Sequence, residues 1–454
     1  MIAALGYGQI LPNGFLVALA LLLVFLPLFD YSDEAVPVAR LAAVISTLQW
    51  LVGAALQYSS QADFDRYRMY VEEETYFQFA IPATCLFSAC LIFASGNPRE
   101  RDLIRQRNRQ QDFSVGVFLL AMSTVAMLAV QWGLVSGSLA FLMNLIYQFR
   151  YIAALYFYFS RHRLRWLFVA ACLYTLFSVA GAQAMFHDLI IWLAIYFFYL
   201  LSYRKRKTST KVAWFAFAGF AVAVVQLAKG DYREDVWSGQ NPSWISSAYT
   251  TLFEQGGITN DDLRNAAINR LNQGWIISAV MRHVPDREPF AGGKTIGEAI
   301  EGALLPRFLA PNKAKAGGQV NFRRFTGLPI ADSTSMAISP LGESYANFGV
   351  EGGILFMMVW GSVFGGMIAL VRKYSRSYPT LILWMPLFIY QGIKAETEFL
   401  TVFNQLSKGA VVAFGTYFLI HHVFLKNASI LFGEPREGEL PIPARGGLAD
   451  IQRH

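Results

Sequence analysis

Apolar stretches of about 20 residues with few charges recur along most of the chain, and a helix of that length crosses about 30 Å of hydrocarbon. In lipid the backbone has to satisfy its own polar groups, which helices do. The spans expected from these runs are 11–29, 38–57, 77–95, 114–133, 137–159, 165–182, 187–203, 211–228, 351–371, 380–397 and 406–425, about eleven in all. The fold class is therefore an all-α polytopic membrane protein. Composition agrees, because only 15% of residues are charged and 55% are hydrophobic, against about 25% charged in a soluble chain. The first apolar run lacks a basic leader and a small-residue cleavage site, so it reads as a true span.

Short basic runs set the expected orientation. Arg99, Arg101, Arg105, Arg107 and Arg109 follow the third span, and Arg161, Arg163 and Arg165 the fifth. Arg204, Lys205, Arg206 and Lys207 follow the seventh, and Arg372, Lys373 and Arg376 the ninth. These alternate correctly for cytoplasmic loops. The expected organisation is an N-terminal bundle over 1–228, a large, partly helical extracytoplasmic loop over 229–350, three more spans over 351–425 and a cytoplasmic tail over 426–454. The formal charge of +7 is spent largely on such topology signals, so no nucleic-acid partner is expected. Cys85, Cys90 and Cys172 all lie in apolar runs, which excludes a disulfide framework and a thiol nucleophile in the large loop.

Within the loop, Asn260 can cap a helix that starts at Asp261 and runs toward Val284. In such a helix Arg264 and Arg282, 18 residues apart, share a face with Leu271 and Trp275. A second helix is expected over 295–305. Beyond it the chain turns basic and glycine-rich, with Arg307, Lys313, Lys315, Gly317, Gly318, Arg323 and Arg324.

The loop cations Arg264, Arg270, Arg282, Arg287, Lys294, Arg307, Lys313, Lys315, Arg323 and Arg324 suit a lipid-linked diphosphate at the membrane surface, since guanidinium forks match phosphate oxygens. The bland alternative is a solvated loop that touches anionic headgroups. Glu343, Tyr345 and Asn347 place polar groups where the loop meets the ninth span. Glu343 is there a candidate general base or, alternatively, the structural partner of a loop arginine. Glu396 and Glu398 are weaker candidates, with Lys394 near enough in sequence to pair with them. Arg150, beside Gln148, reads as an arginine paired within the bundle, and His187 and Asp188 as solvated residues of an outer hairpin. The six histidines show no metal-ligand spacing, and no Walker loop or Gly-x-Ser-x-Gly elbow is present, so no metal or cofactor is expected.

Two elements, Ala303-Leu-Leu-Pro-Arg-Phe-Leu-Ala-Pro-Asn-Lys313 and Gly342-Glu-Ser-Tyr-Ala-Asn-Phe-Gly349, resemble the bacterial oligosaccharide repeat-unit polymerases of the Wzy type, which make O-antigen and exopolysaccharide and are related to the O-antigen ligases. The resemblance is best over residues 260–355 and rests on topology elsewhere. It implies a metal-independent membrane glycosyltransferase of GT-C-like architecture in the bacterial inner membrane, with its active loop in the periplasm. Arg307 and Lys313 would hold the lipid diphosphate, assisted by Arg270 or Arg282, and Glu343 would line the acceptor site. The partners implied are undecaprenyl-diphosphate-linked oligosaccharides, membrane lipids, and a chain-length regulator and flippase of the same pathway. Where many relatives carry a Gly-Ser-Arg-like element, this chain has Gly181-Ala-Gln183, without the arginine. The implied reaction transfers a growing glycan from its diphosphate carrier to a hydroxyl of the incoming lipid-linked unit. An O-antigen ligase, which His283 keeps open, and a polysaccharide transporter or flippase are the competing readings.

Overall fold

A computed structural model describes residues 12–31, 36–59, 67–96, 104, 111–135, 137–183, 186–203, 206–219, 232, 271–305, 316–331 and 334–424. Among them the regular structure is helical throughout, with no strand. The N-terminal half holds α1 (Asn13–Tyr31), α2 (Val38–Tyr58), α3 (Glu73–Ser95), α4 (Asp112–Gln131), α5 (Gly137–Tyr147), α6 (Phe149–Phe159), α7 (Arg165–Gln183) and α8 (His187–Tyr203). Residues 208–219 are helical as well, and three short helices come later: α9 (Gly274–His283), α10 (Lys294–Leu304) and α11 (Gln319–Thr326). The chain then enters α12 (Ser339–Ser377), α13 (Met385–Ile393) and α14 (Phe399–Leu419).

Six helices among the described residues are long and apolar enough to cross a membrane: α2, α3, α4, the α5–α6 pair over Leu139–Phe159, α7 and α12. They match six of the expected spans. The helices at Asn13–Phe29, His187–Tyr203 and Pro379–Ile393 are apolar but shorter. The last is further broken, a 3-10 turn over Pro379–Trp384 leading into α13. The expected span 406–425 falls on α14, which starts seven residues earlier and carries Asn404, Gln405 and Lys408 in its first half. Phe93, Val125, Trp132 and Tyr174 stand 67–89% exposed on the outside, as residues facing lipid do.

The bundle is held most closely where α12 meets α3. Gly353, Gly361 and Gly365 lie on one face of α12, and a Cβ on Gly361 would stand 2.4 Å from the Phe87 carbonyl oxygen. Small residues let two backbones approach, which is how helices gain contact in lipid. The expected boundary between loop and span at residue 350 falls inside α12, because the helix begins at Ser339. It bends at Gly349, whose φ of 66° and ψ of −158° suit glycine and leave room for the Phe290 ring 3.2 Å from where a Cβ would be.

The helix expected to run unbroken from Asp261 to Val284 is not formed as such. Asn272 and Gln273 are non-helical, and α9 starts afresh at Gly274. The interruption has a cause in α2, which widens to a π-helical turn over Leu48–Val52. That turn frees carbonyls, and the Gln273 N–H donates to Gln49 O at 3.1 Å while the Tyr76 hydroxyl donates to Trp50 O at 2.6 Å. Gly53 then gives the Leu271 backbone room to approach. Docking onto α2 outweighs continuation of the helix through Asn272 into α9, and Arg264 itself lies outside the described residues.

Candidate functional site

A cavity of about 560 Å3 opens where the shorter helices meet the broken ends of the long ones. Its walls come from Tyr151 of α6, Leu176 and Ala180 of α7, His187 and Asp188 of α8, Asn272, Gln273 and Trp275, the stretch Ser335–Ala337, and residues 391–401 between α13 and α14. Lys394 follows directly on α13, in an extended conformation that ends the helix. Trp50 Nε1 fixes the turn by donating to Ala395 O at 3.0 Å.

Two polar pairs face each other across this turn. Lys394 Nζ donates to Asp188 Oδ1 at 2.7 Å, with the ammonium 4.4 Å from the centre of the Tyr390 ring. His187 Nδ1 lies 3.5 Å from Glu396 Oε1, and Gln273 Nε2 reaches Glu396 Oε2 at 3.3 Å. Lys394 therefore pairs with Asp188 rather than with Glu396 or Glu398. His187 and Asp188, read from sequence as a solvated hairpin, are cavity walls. The signal that marks them is a pair of ionisable clusters at the ends of apolar runs, His187-Asp188 and Lys394-x-Glu396-x-Glu398.

Glu398 closes another wall. Its Oε1 accepts the Gly317 N–H at 2.8 Å, the Gly318 N–H at 2.9 Å and the Thr401 hydroxyl at 3.1 Å. Gly318 has φ 71° and a Cβ there would stand 2.5 Å from Ala337 Cβ, so only glycine lets the chain turn into α11 this close to the wall. Burial pushes the Glu398 carboxyl above its ordinary range, and the Gly317 amide, Thr401 and the Gly318 amide pull it partly back. A raised folded-state pKa means the folded chain binds the proton more tightly. This group's contribution to stability is then full below about pH 4.3 and is lost as pH rises through the raised value. Glu398→Gln should keep an acceptor for the glycine amides and abolish that pH dependence. Glu398→Ala should leave the buried Gly318 N–H without an acceptor and cost about 1–3 kcal/mol. Thermal unfolding of both variants between about pH 4 and pH 8 measures this. If the Gln variant keeps the wild-type slope, the dependence belongs to another group.

Of the residues singled out in the sequence, the weaker candidates Glu396 and Glu398 line the cavity, whereas the loop arginines and the Glu343 element lie elsewhere where they are described. Arg264, Arg270, Arg307 and Lys313 lie outside the described residues. Arg282 stacks on the Tyr70 ring at 4.1 Å, Arg324 Nε pairs with Glu288 Oε1 at 2.6 Å, and Arg323 donates to Ile330 O, so these three do not line the cavity. Glu343 is 1% exposed and also off the cavity. Its Oε2 accepts the Phe399 N–H at 3.1 Å. Asn347 donates to Thr295 Oγ1 at 2.7 Å and to Glu343 O at 2.8 Å, and accepts the Gly293 N–H at 3.0 Å. Tyr345 packs its ring against Phe79 and Phe290. The Gly-Glu-x-Tyr-x-Asn element is thus a buried knot that ties α10 to α12 and to the start of α14.

Arg150 is buried and paired within the bundle, as expected, with tyrosines as its partners. It is 4% exposed, and among the described residues no carboxylate lies within 4.0 Å of it. The guanidinium lies 3.4 Å from the Tyr147 ring centre and donates to the Tyr151 hydroxyl at 2.7 Å. A buried positive charge thus stands directly behind one wall of the cavity.

Compared with family profiles, with curated proteins and with solved structures, the chain matches none.

Proposed function

We propose that the chain is a bacterial inner-membrane glycosyltransferase that polymerises lipid-diphosphate-linked oligosaccharide units on the periplasmic side. One observation carries the reading: a single cavity holds a lysine and, beside it, a histidine backed by a carboxylate. These are the minimal groups for moving a glycan off a diphosphate. The acceptor hydroxyl attacks the anomeric carbon of the donor, and its proton passes to the Glu396–His187 pair on the cavity wall. The bond from that carbon to the diphosphate oxygen breaks, and the electron pair leaves with the lipid diphosphate. Lys394 meets that charge, with Arg150 adding positive potential through Tyr151. The donor linkage supplies the energy, so no nucleotide is consumed.

Helix direction supports the side assigned. α8 starts at the cavity and ends just before Arg206 and Lys207. α12 starts just after Ala337 and ends on Arg372, Lys373 and Arg376. α7 starts at Arg165 and lines the cavity with its second half. The cavity is thus at the end of these helices opposite the basic residues, and the positive-inside rule makes that end the extracytoplasmic one in this reading.

Incubating the purified protein with lipid-linked repeat units tests the reading. A ladder of lengthened glycans is expected. A single transfer to a core lipid would make the protein a ligase instead, and intact substrate with passage across a vesicle wall would make it a transporter.

A further inference from the structure

The segment between residues 229 and 350 is expected from sequence to be an extracytoplasmic loop outside the membrane, yet one of its helices runs beside α14. The first turn of α10 is at the start of α14, because the Glu343 carboxylate bonds both the Thr295 side chain and the Phe399 N–H. The last turn is further along, where the Ser407 hydroxyl donates to Ala303 O at 3.1 Å. From Thr295 to Ala303 and from Phe399 to Ser407 are both eight residues, so the two helices run parallel and in step for about 12 Å. Thr295, Ala299, Gly302 and Ala303 form the buried face of α10, a stripe of small residues that allows this approach.

The opposite edge of α10 is apolar where it goes deepest. Ile300 is 43% exposed, Leu304 67% and Leu305 39%. The charges gather at the shallow end, where Lys294 and Glu298 form an exposed pair at 4.0 Å. Glu301 is the exception, and helical side chains lean toward the N-terminus, which for α10 is the shallow end. Beyond Ser407 the exposed surface of α14 continues with Val411 and Phe414, at 72% and 50%.

We infer that α10 is a re-entrant helix that descends beside α14 and presents Ile300, Leu304 and Leu305 to the acyl chains of the outer leaflet. The occupant follows from continuity: the apolar edge runs on into the outward face of α14, and the charge lies at the other end. The inference is independent of the proposed reaction, since it concerns only where the segment sits.

A nitroxide scan in proteoliposomes tests it. Leu304→Cys, Lys294→Cys and Val411→Cys are labelled singly in full-length chains whose native cysteines are replaced, and the collision rates with oxygen and with a water-soluble nickel chelate are compared. All three side chains are exposed, so the label perturbs little packing. Leu304 is expected to show an oxygen-to-nickel ratio nearer that of Val411 than that of Lys294, by about tenfold. A ratio nearer that of Lys294 overturns the inference and returns α10 to the aqueous surface.

Discussion

Lys394→Met should lower the rate of glycan extension by about two to three decades, the effect of losing about 2.7–4 kcal/mol of electrostatic stabilisation at a developing oxyanion. The fold should survive, because the partner it abandons, Asp188, has a side chain 64% exposed and can be solvated from the cavity. Lys394→Arg should recover a large part of the rate, since the charge is restored. Glu343→Gln is the contrasting case. The carboxylate is buried away from the cavity and accepts a backbone N–H, and an amide oxygen accepts that bond as well. Its rate should remain within a few-fold of wild type. The measurement is the initial slope of product lengthening with equal amounts of purified, monodisperse variant. If Glu343→Gln collapses the rate and Lys394→Met leaves it intact, the chemistry belongs to the knot at α12 and not to the cavity.

The second large effect is on folding. Gly361→Leu should reduce the yield of monodisperse protein severely and destabilise what remains by about 3 kcal/mol or more, at the top of the range for overpacking. A Cβ at that position meets the Phe87 backbone, which cannot turn aside as a side chain can, so α3 and α12 must separate along their length. Gly366 is the control, because a Cβ there has nothing within 4 Å, and Gly366→Leu should behave as wild type. Size-exclusion profiles and thermal unfolding in detergent distinguish the two. Equal losses from both substitutions would mean that the α3–α12 contact does not set the cost.

The long apolar helices were legible in the sequence because a run such as 77–95 can satisfy its backbone in lipid in few other ways. The short helix over 294–304 was legible as well, but its place was not. The small residues Thr295, Ala299, Gly302 and Ala303 share a helical face, and that stripe was the available sign that it packs against another helix. The break at Asn272 could not be read locally, since its cause is a π-helical turn more than 200 residues earlier. The site was the least legible part. Its pairs join residues as far apart as Asp188 and Lys394, separated by 206 positions, and each half alone looks like a solvated end. Glu343 stood out because it is a carboxylate at the edge of an apolar run, but such a group can be buried for structure as readily as for chemistry.

The long reach of those pairs also sets an order of events during synthesis. Asp188 leaves the ribosome 206 residues ahead of Lys394, a delay of about 10–40 s at ordinary elongation rates. Glu398 likewise follows the glycine amides that it receives by some 80 residues. The six long apolar helices among the described residues are complete by Ser377, before Lys394 or Glu398 is made. The polar end thus stays unpaired until the last stretch of chain arrives, and a chain that ends between residues 377 and 394 holds those six helices but lacks α14 and the Glu398 wall of the cavity.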